Sequence, residues 1–245
     1  MENTKETLEA TKGGSLPGLA EKKEGPPMPC ITCDTETGGL YPSVHALLSI
    51  GACCSWSLER FSGYITPESQ PGKVIIDLEA ARVNGYTPER WKLYGAMSYT
   101  AVFGGFIDWL RARKKERPGA LLVCHNLAFD MGFLREGERL TGHELPHRSQ
   151  CACTQLELVR LMKAGLIAEG SASLDRLRVL SGWEGARNAE HDALDDALIT
   201  EHGYQWLIGV AKRPEMALRA LYHDSLNQRR SLENLISEVE RTITP

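Results

Sequence analysis

The sequence contains no apolar run near the ~18 residues that a membrane-spanning helix requires. Its N-terminal stretch, MENTKETLEATKGG, is charged and lacks the apolar segment of a secretory signal. Basic residues are not in excess, because 28 Lys and Arg stand against 32 Asp and Glu. We therefore expect a cytoplasmic protein with no membrane partner. The charge balance argues against a strongly basic, sequence-independent nucleic-acid coat, but it allows a local site where metal ions offset phosphate charge.

The chain also lacks an internal repeat. Residues 1–28 are rich in Lys, Glu, Gly, Thr and Pro, a composition typical of a flexible tail. We predict a globular domain over residues 29–208. A helical C-terminal extension is predicted over residues 209–245.

Apolar patterning predicts an α/β fold. Three early strands, one of them a continuous apolar run typical of a central strand, are followed by strands that alternate with helices. This order predicts a sheet with both antiparallel and parallel parts. The predicted strands span residues 30–35, 46–56, 60–65, 120–124 and 147–153. The main predicted helices span residues 77–83, 99–115, 127–140, 156–164, 173–180, 191–208, 214–221 and 232–242.

Seven cysteines occur in the chain, most of them inside apolar stretches. Such cysteines are typically small buried hydrophobes. The alternative is a zinc site built from the pairs Cys30 and Cys33, and Cys151 and Cys153. On a strand, residues 30 and 33 point to opposite faces, which disfavours a tetrahedral site with converging thiolates.

Asp34 and Glu36 lie near the end of the first predicted strand. Residues i and i+2 of a strand share a face, and two adjacent carboxylates repel each other unless a cation lies between them. Oxygen ligands of this kind suit magnesium or manganese. The alternative is a solvated junction between a strand and a turn, where acidic residues are common.

A second polar group follows the predicted strand at 120–124. His125 and Asn126 come directly after it, and Asp130 lies near the start of the next helix. An acidic residue at that position also stabilises the helix dipole without any ligand role. His125 is equally compatible with a hydrogen-bonded position at the end of the strand.

A third group, Glu190 to Asp196, surrounds the start of another predicted helix. Asp195 and Asp196 flank its apolar face on opposite sides. If the helix includes His191, Asp195 at i+4 is its neighbour. If His191 precedes the helix, Asp196 is the natural partner, so the pattern leaves the choice open.

The three groups in this order resemble the DnaQ-like 3'-5' exonucleases of the DEDD family, in the subclass with a histidine in its third motif (DEDDh). The resemblance extends over about residues 29–206 and includes shorter segments besides the acids. The matching segments are Asp34-Thr35-Glu36-Thr37-Gly38-Gly39-Leu40, Ser49-Ile50-Gly51-Ala52, Glu79-Ala80-x-x-Val83-Asn84-Gly85-Tyr86-Thr87 and Ser173-Leu174-Asp175.

This resemblance implies a ribonuclease H-like mixed five-stranded sheet flanked by helices, here with a helical C-terminal extension. It implies two divalent ions, Mg²⁺ or Mn²⁺, and His191 as the general base. Nucleoside 5'-monophosphates would leave the 3' end of DNA, and RNA is the alternative substrate. The implied metal ligands are Asp34, Glu36, Asp130 and Asp196, and the implied substrate contacts are Thr37, Leu40 and Asn126.

Two residues depart from the family pattern. Gly38 replaces a common Thr, which we expect to loosen the loop after the first strand. Asn84 replaces a frequent His, which we expect to alter contacts with the terminal nucleotide.

The expected partner is a nucleic acid with a free 3' end. A solvated helix surface is the usual explanation for the basic residues of the C-terminal extension, and docking to a polymerase, another replication or repair protein or a nucleic-acid strand is the alternative.

Two rival functions use the same residues. One is a non-catalytic nucleic-acid or polymerase-binding module on this fold, which the complete set of four acids and His191 argues against. The other is an unrelated α/β phosphohydrolase that acts on small phosphoesters.

Overall fold

The computed structural model describes residues 28–72, 75–146, 150–185 and 190–212. Nearly all of the predicted N-terminal tail, and the predicted C-terminal extension beyond Lys212, lie outside these residues. The strands are β1 (Cys30–Thr37), β2 (Leu47–Cys54), β3 (Arg60–Tyr64), β4 (Leu121–Cys124) and β5 (Cys151–Cys153). The helices are α1 (Leu78–Asn84), α2 (Pro88–Leu93), α3 (Tyr99–Glu116), α4 (Leu127–Thr141), α5 (Thr154–Lys163), α6 (Leu174–Ser181) and α7 (Ala193–Lys212).

The five strands form one mixed sheet in the order β3-β2-β1-β4-β5. β1 and β2 are antiparallel, as are β2 and β3, whereas β1 pairs in parallel with β4, and β4 with β5. The expected sheet with antiparallel and parallel parts is therefore confirmed. The carboxyl ends of β1 and β4 meet at one edge, the region of an α/β sheet where ligands usually bind.

Helices cover both faces of the sheet. On one face, Ile31 and Cys33 of β1 belong to a core with Phe103 of α3 and Phe133 of α4. On the other face, α7 crosses the sheet, and Tyr204 packs against Cys30 and Val123. Side chains alternate along a strand, so Asp34 and Glu36 share the face that α7 covers.

Some element boundaries differ from the predictions. β5 is shorter than the predicted strand, of which residues 147–149 lie outside the described part. α7 begins at Ala193 instead of residue 191, and it continues to Lys212, past the predicted boundary at residue 208.

In the described ranges, no helix combines the length and apolar character needed to cross a membrane.

The cysteines behave mainly as buried apolar residues. Cys30, Cys33 and Cys53 are less than 5% exposed. Burial raises the pKa of both Cys30 and Cys53 to about 12, so these thiols stay protonated at neutral pH. Among the described residues, no cysteine belongs to a metal-ligand group.

Candidate active site

Asp34 and Glu36 lie near the carboxyl end of β1, as the sequence predicts. Glu36 is only 7% exposed, and Asp34 is partly buried. Across the antiparallel pair, Asp34 is opposite Gly51 and Glu36 is opposite Ser49. The two carboxylates therefore share one buried face at the edge of the sheet.

α7 can approach these acids because Gly51 has no side chain. A Cβ atom at this position would lie 2.2 Å from backbone atoms of Ala193 and Leu194, the first residues of α7. That distance is far below van der Waals contact, so a larger residue would displace the start of the helix. The close approach brings the residues around the helix start beside Asp34.

His191 lies immediately before α7, and Asp196 lies in its first turn. Asp192 caps the helix, because its Oδ1 atom accepts hydrogen bonds from the backbone N–H groups of Leu194 at 3.0 Å and Asp195 at 3.1 Å. With His191 outside the helix, its Nδ1 atom lies 3.4 Å from Asp196 Oδ2. The structure thus brings Asp196 beside His191, the arrangement expected if His191 precedes the helix.

Asp130 reaches the same edge from the first turn of α4, where it is 2% exposed. Its Oδ1 atom accepts two hydrogen bonds from Thr35, one from the backbone N–H at 3.0 Å and one from the hydroxyl at 2.8 Å. Burial raises the pKa of Asp130 to about 7; the bonds from Thr35 lower it, and the charge of Asp196 raises it. Asp130 is therefore joined to β1 and does more than stabilise a helix dipole.

The four carboxylates influence one another. Burial raises the pKa of Asp34 well above its usual range, and the charges of Asp130, Glu36 and Asp196 raise it further. Each of these three groups is therefore near enough to repel Asp34. Clustered buried carboxylates are stabilised in their ionised form by a nearby cation, so this environment favours cation binding.

Three side chains have the geometry of a metal site. Glu36, His191 and Asp196 each offer one ligand atom, and these atoms lie within 4.8 Å of one another. The group opens into a cleft with a volume of about 610 Å³. The cleft is lined by all four acids and His191, together with apolar side chains that include Leu40, Ala80, Val83, Phe129 and Leu174.

The three predicted substrate contacts all line this cleft. Leu40 is 70% exposed, so its side chain is accessible to a ligand. Asn126 is exposed at the start of α4. Thr37 is buried, and its hydroxyl donates to the carbonyl of Gly39 at 2.7 Å. Thr37 can therefore still accept a hydrogen bond from a ligand.

Phe133 and His125 have structural contacts near the cleft. Phe133 is buried in the core and packs against Phe129, which also lines the cleft. His125 is buried, with its Nδ1 atom 2.9 Å from Thr154 Oγ1 and its Nε2 atom 3.0 Å from the carbonyl of Ala172. His125 is therefore a hydrogen-bonded residue at the end of β4, which is one of the interpretations that its sequence position allows.

The expectation that Gly38 loosens the loop after β1 is wrong. Its N–H donates to the carbonyl of Ala46 at 2.7 Å, and its carbonyl accepts from the N–H of Asp77 at 2.7 Å. A Cβ atom at Gly38 would lie 2.6 Å from the carbonyl oxygen of Ile75. Glycine therefore allows two backbone segments to pack closely here, and it holds the loop in place.

Asn84 has a structural contact at the end of β1. Its Nδ2 atom donates to the carbonyl of Thr37 at 3.0 Å, and its Oδ1 atom accepts from the N–H of Tyr86 at 3.1 Å. Asn84 also lines the cleft. Its side chain therefore joins β1 to the C-terminal end of α1 beside the candidate site.

Two supporting groups were not predicted from the sequence. Asp192 precedes an apolar helix, which is a recognisable N-cap pattern, but it was not singled out. His45 is buried below the loop that carries Leu40; its Nε2 atom lies 3.1 Å from Asp77 Oδ2, and its Nδ1 atom accepts from the N–H of Tyr41 at 3.0 Å. No sequence signal indicates the His45 contact, since it depends on how two loops pack.

A mixed sheet of this order, with four acids and a histidine beside a cleft at its edge, defines a nuclease of ribonuclease H-like fold. The exonuclease family model, named RNase T, matches residues 31–201. The chain belongs to this exonuclease family, which confirms at the level of the family the resemblance that its motifs indicate.

Known relatives agree with this assignment. The chain is 29% identical over 190 residues to DNA polymerase III subunit epsilon of Escherichia coli K12, covering 73% of this chain and 71% of the relative. It is 30% identical over 105 residues to the 3'-5' DNA exonuclease Cap18 of Escherichia coli, covering 42% of this chain and 54% of the relative.

A solved structure shares the fold. E. coli exonuclease I in complex with a dT13 oligonucleotide matches this chain with a TM-score of 0.58 and a sequence identity of 14%. The match covers 77% of this chain but 42% of exonuclease I, so the chain spans less than half of that protein.

Proposed function

We propose that the chain is a 3'-5' exonuclease of the DEDDh subclass that releases nucleoside 5'-monophosphates from single-stranded or frayed 3' ends of DNA. The observation that carries this proposal is the convergence of the four acids and His191 on one cleft, where polar atoms of Glu36, His191 and Asp196 lie within 4.8 Å of one another. The names of two relatives, a DNA polymerase subunit and a 3'-5' DNA exonuclease, support the choice of DNA and the direction of cleavage.

Two divalent cations, Mg²⁺ or Mn²⁺, fit the chemistry of these residues, because hard carboxylate oxygens that repel one another are suited to such ions. Asp34, Glu36 and Asp196 would hold them, with Asp130 binding directly or through water. When bound, such ions lower the pKa of water and stabilise the attacking and leaving oxygens of an in-line phosphoryl displacement.

His191 supplies the proton transfer in this proposal. Its Nδ1 atom faces Asp196, so we assign Nε2 to take the proton from the attacking water. The water oxygen bonds to phosphorus, the bond from phosphorus to the 3' oxygen breaks, and that oxygen gains a proton from solvent. Imidazole suits the role because it exchanges protons near neutral pH.

The cleft residues hold the end of the strand. Leu40 packs against the terminal base, a contact that tolerates any sequence because every base has an apolar face. Thr37 accepts a hydrogen bond from the 3' hydroxyl. Asn126 contacts the substrate or orients the metal site.

The exonuclease domain covers residues 29–208 in this proposal, and the extension at 209–245 is where a polymerase would dock.

The full chain should be tested on 5'-labelled single- and double-stranded DNA and RNA, with Mg²⁺, Mn²⁺ or a chelator. We expect a ladder of shortened DNA that requires the metal and yields mononucleotides. A 3'-phosphorylated oligonucleotide serves as a control for cleavage from the 3' end. Immediate release of the 5' label as a mononucleotide would contradict the direction.

Other outcomes identify the alternative functions. Faster shortening of RNA than of DNA would assign the chain as an exoribonuclease, a distinction that depends on space near the 2'-hydroxyl. Oligonucleotide binding without shortening would indicate a non-catalytic module. Turnover of a small phosphoester without any oligonucleotide cleavage would indicate a different phosphohydrolase.

Asp195 and Asp196 offer a matched pair of variants. Asp196 is 3% exposed and belongs to the metal-ligand group, whereas Asp195 is partly buried and lies outside that group. We expect Asp196→Asn to lower kcat by about 1000-fold and Asp195→Asn by less than about threefold, because only the first removes a metal ligand. Steady-state oligonucleotide cleavage measures both, and equal losses would leave the choice of Asp196 unsupported.

A further inference from the structure

Residues outside α7 hold the segment that carries His191 in position. The backbone N–H of His191 donates to the carbonyl of Val83 at 3.1 Å, at the C-terminal part of α1. The preceding residue, Glu190, forms an ion pair and hydrogen bond with Arg90 of α2. Contacts from two helices remote in the sequence therefore fix the chain on one side of the imidazole.

On the other side, Asp192 uses both of its carboxylate oxygens. While Oδ1 caps α7, Oδ2 accepts a hydrogen bond of 2.5 Å from the hydroxyl of Tyr64, at the end of β3. A carboxylate that accepts from a hydroxyl forms a short, strong hydrogen bond. The bond joins the edge strand of the sheet to the start of α7, next to His191.

The ring of Tyr64 is itself held in position. It makes an edge contact with Trp91 at 5.3 Å between centroids and a tilted contact with Tyr94 at 4.9 Å. Burial, followed by the hydrogen bond to Asp192, raises the pKa of Tyr64, so its hydroxyl stays protonated as a donor at neutral pH. Tyr64 is therefore a rigid donor instead of a mobile surface side chain.

Tyr64 acts from behind the candidate site. It lines a small polar cavity of about 60 Å³, together with Ser49, Glu36, His191 and Asp192. It is absent from the lining of the large cleft, in the part of the chain that the structure describes. An effect of Tyr64 on catalysis must therefore pass through the residues between it and the substrate.

We propose that Tyr64 is a positioning residue for His191: through its hydrogen bond to Asp192, it sets the orientation of the imidazole relative to Asp196 and the cleft. This inference rests on the proposed function, in which His191 takes a proton from water. Mutation of a group that orients a metal ligand typically costs about 10- to 100-fold in affinity or activity, and we expect a similar scale for a group that orients a general base.

Tyr64→Phe removes the hydroxyl and keeps the ring. We expect kcat for oligonucleotide cleavage to fall about tenfold or more with little change in KM, since the substrate contacts stay intact. Tyr86→Phe is the matched control, because Tyr86 packs against the same Trp91. It should retain the wild-type kcat, and thermal unfolding should show that both variants are folded.

A double-mutant cycle separates positioning from a general structural effect. If Tyr64 acts through His191, Tyr64→Phe should change kcat by less than about twofold in a His191→Ala background, because residues that act as one unit are not additive. An equal loss in both backgrounds, or a wild-type kcat for the folded Tyr64→Phe variant, would overturn the proposal.

Asp192→Ser removes the same hydrogen bond from its other partner, so it tests the proposal even if Tyr64→Phe does not fold. Serine still caps a helix, but its side chain is too short to preserve the carboxylate contact with Tyr64. Its kcat should fall as much as that of Tyr64→Phe, and the combined variant should lose no more than either one. Additive losses would overturn the positioning role, whereas an inactive wild-type chain would overturn the proposed function and this inference with it.

Discussion

The Asp34→Asn variant should lose at least about 1000-fold in kcat, because it removes a carboxylate that the proposal assigns to holding the metal ions. Its fold should be intact. The pKa of Asp34 is raised by burial and by the charges of Asp130, Glu36 and Asp196, so an uncharged amide relieves repulsion. In a chelator, the variant should therefore unfold at a temperature no lower than that of the wild type.

Oligonucleotide cleavage and thermal unfolding with and without Mn²⁺ measure these effects. The metal should raise the unfolding temperature of the wild type more than that of Asp34→Asn, because ligands that bind only the folded state stabilise it. Asp108→Asn, an acid-to-amide change on the exposed side of α3, is the control and should behave as the wild type. Full cleavage activity in Asp34→Asn would rule out the two-metal proposal.

The His191→Ala variant should have a kcat about 100- to 10,000-fold lower than the wild type, the usual contribution of a general base. Metal binding should be nearly unchanged, because the four carboxylates are still present. The deficit should shrink at alkaline pH, where hydroxide replaces the water that needs a base. Cleavage rates across a pH series, together with Mn²⁺-dependent unfolding, measure both expectations.

A control variant distinguishes this effect from the loss of any histidine. His143→Ala changes a partly buried histidine after α4 that does not line the cleft, and it should keep the wild-type pH profile. A deficit in His191→Ala that is the same at every pH would contradict the role of His191 as a base. A large loss of metal binding would instead indicate that His191 is a ligand.

Local patterns were sufficient to predict most of the secondary structure. All five predicted strands are present, since each is an apolar segment bounded by turn residues. The errors lie at element ends, where the apolar pattern is weak. At α7, the predicted start at His191 was wrong because the cap at Asp192 excludes His191 from the helix.

The candidate site could be predicted only in part. The shared face of Asp34 and Glu36 follows from the two-residue period of a strand. Periodicity alone left the choice between Asp195 and Asp196 open, because both are compatible with a helix whose first residue is uncertain, and the family resemblance favoured Asp196. Gly38 was misinterpreted because the sequence does not reveal that Ile75 packs against its backbone.

The sequence by itself determined the chemical groups, their order and the local geometry of each motif, because these depend on neighbours within a few residues. Tertiary structure alone decided which groups meet. Thr35 reaches Asp130, Tyr64 reaches Asp192, and Gly51 admits the start of α7. Such contacts depend on how closely helices pack on the sheet, a property of the whole core that no spacing along the chain encodes.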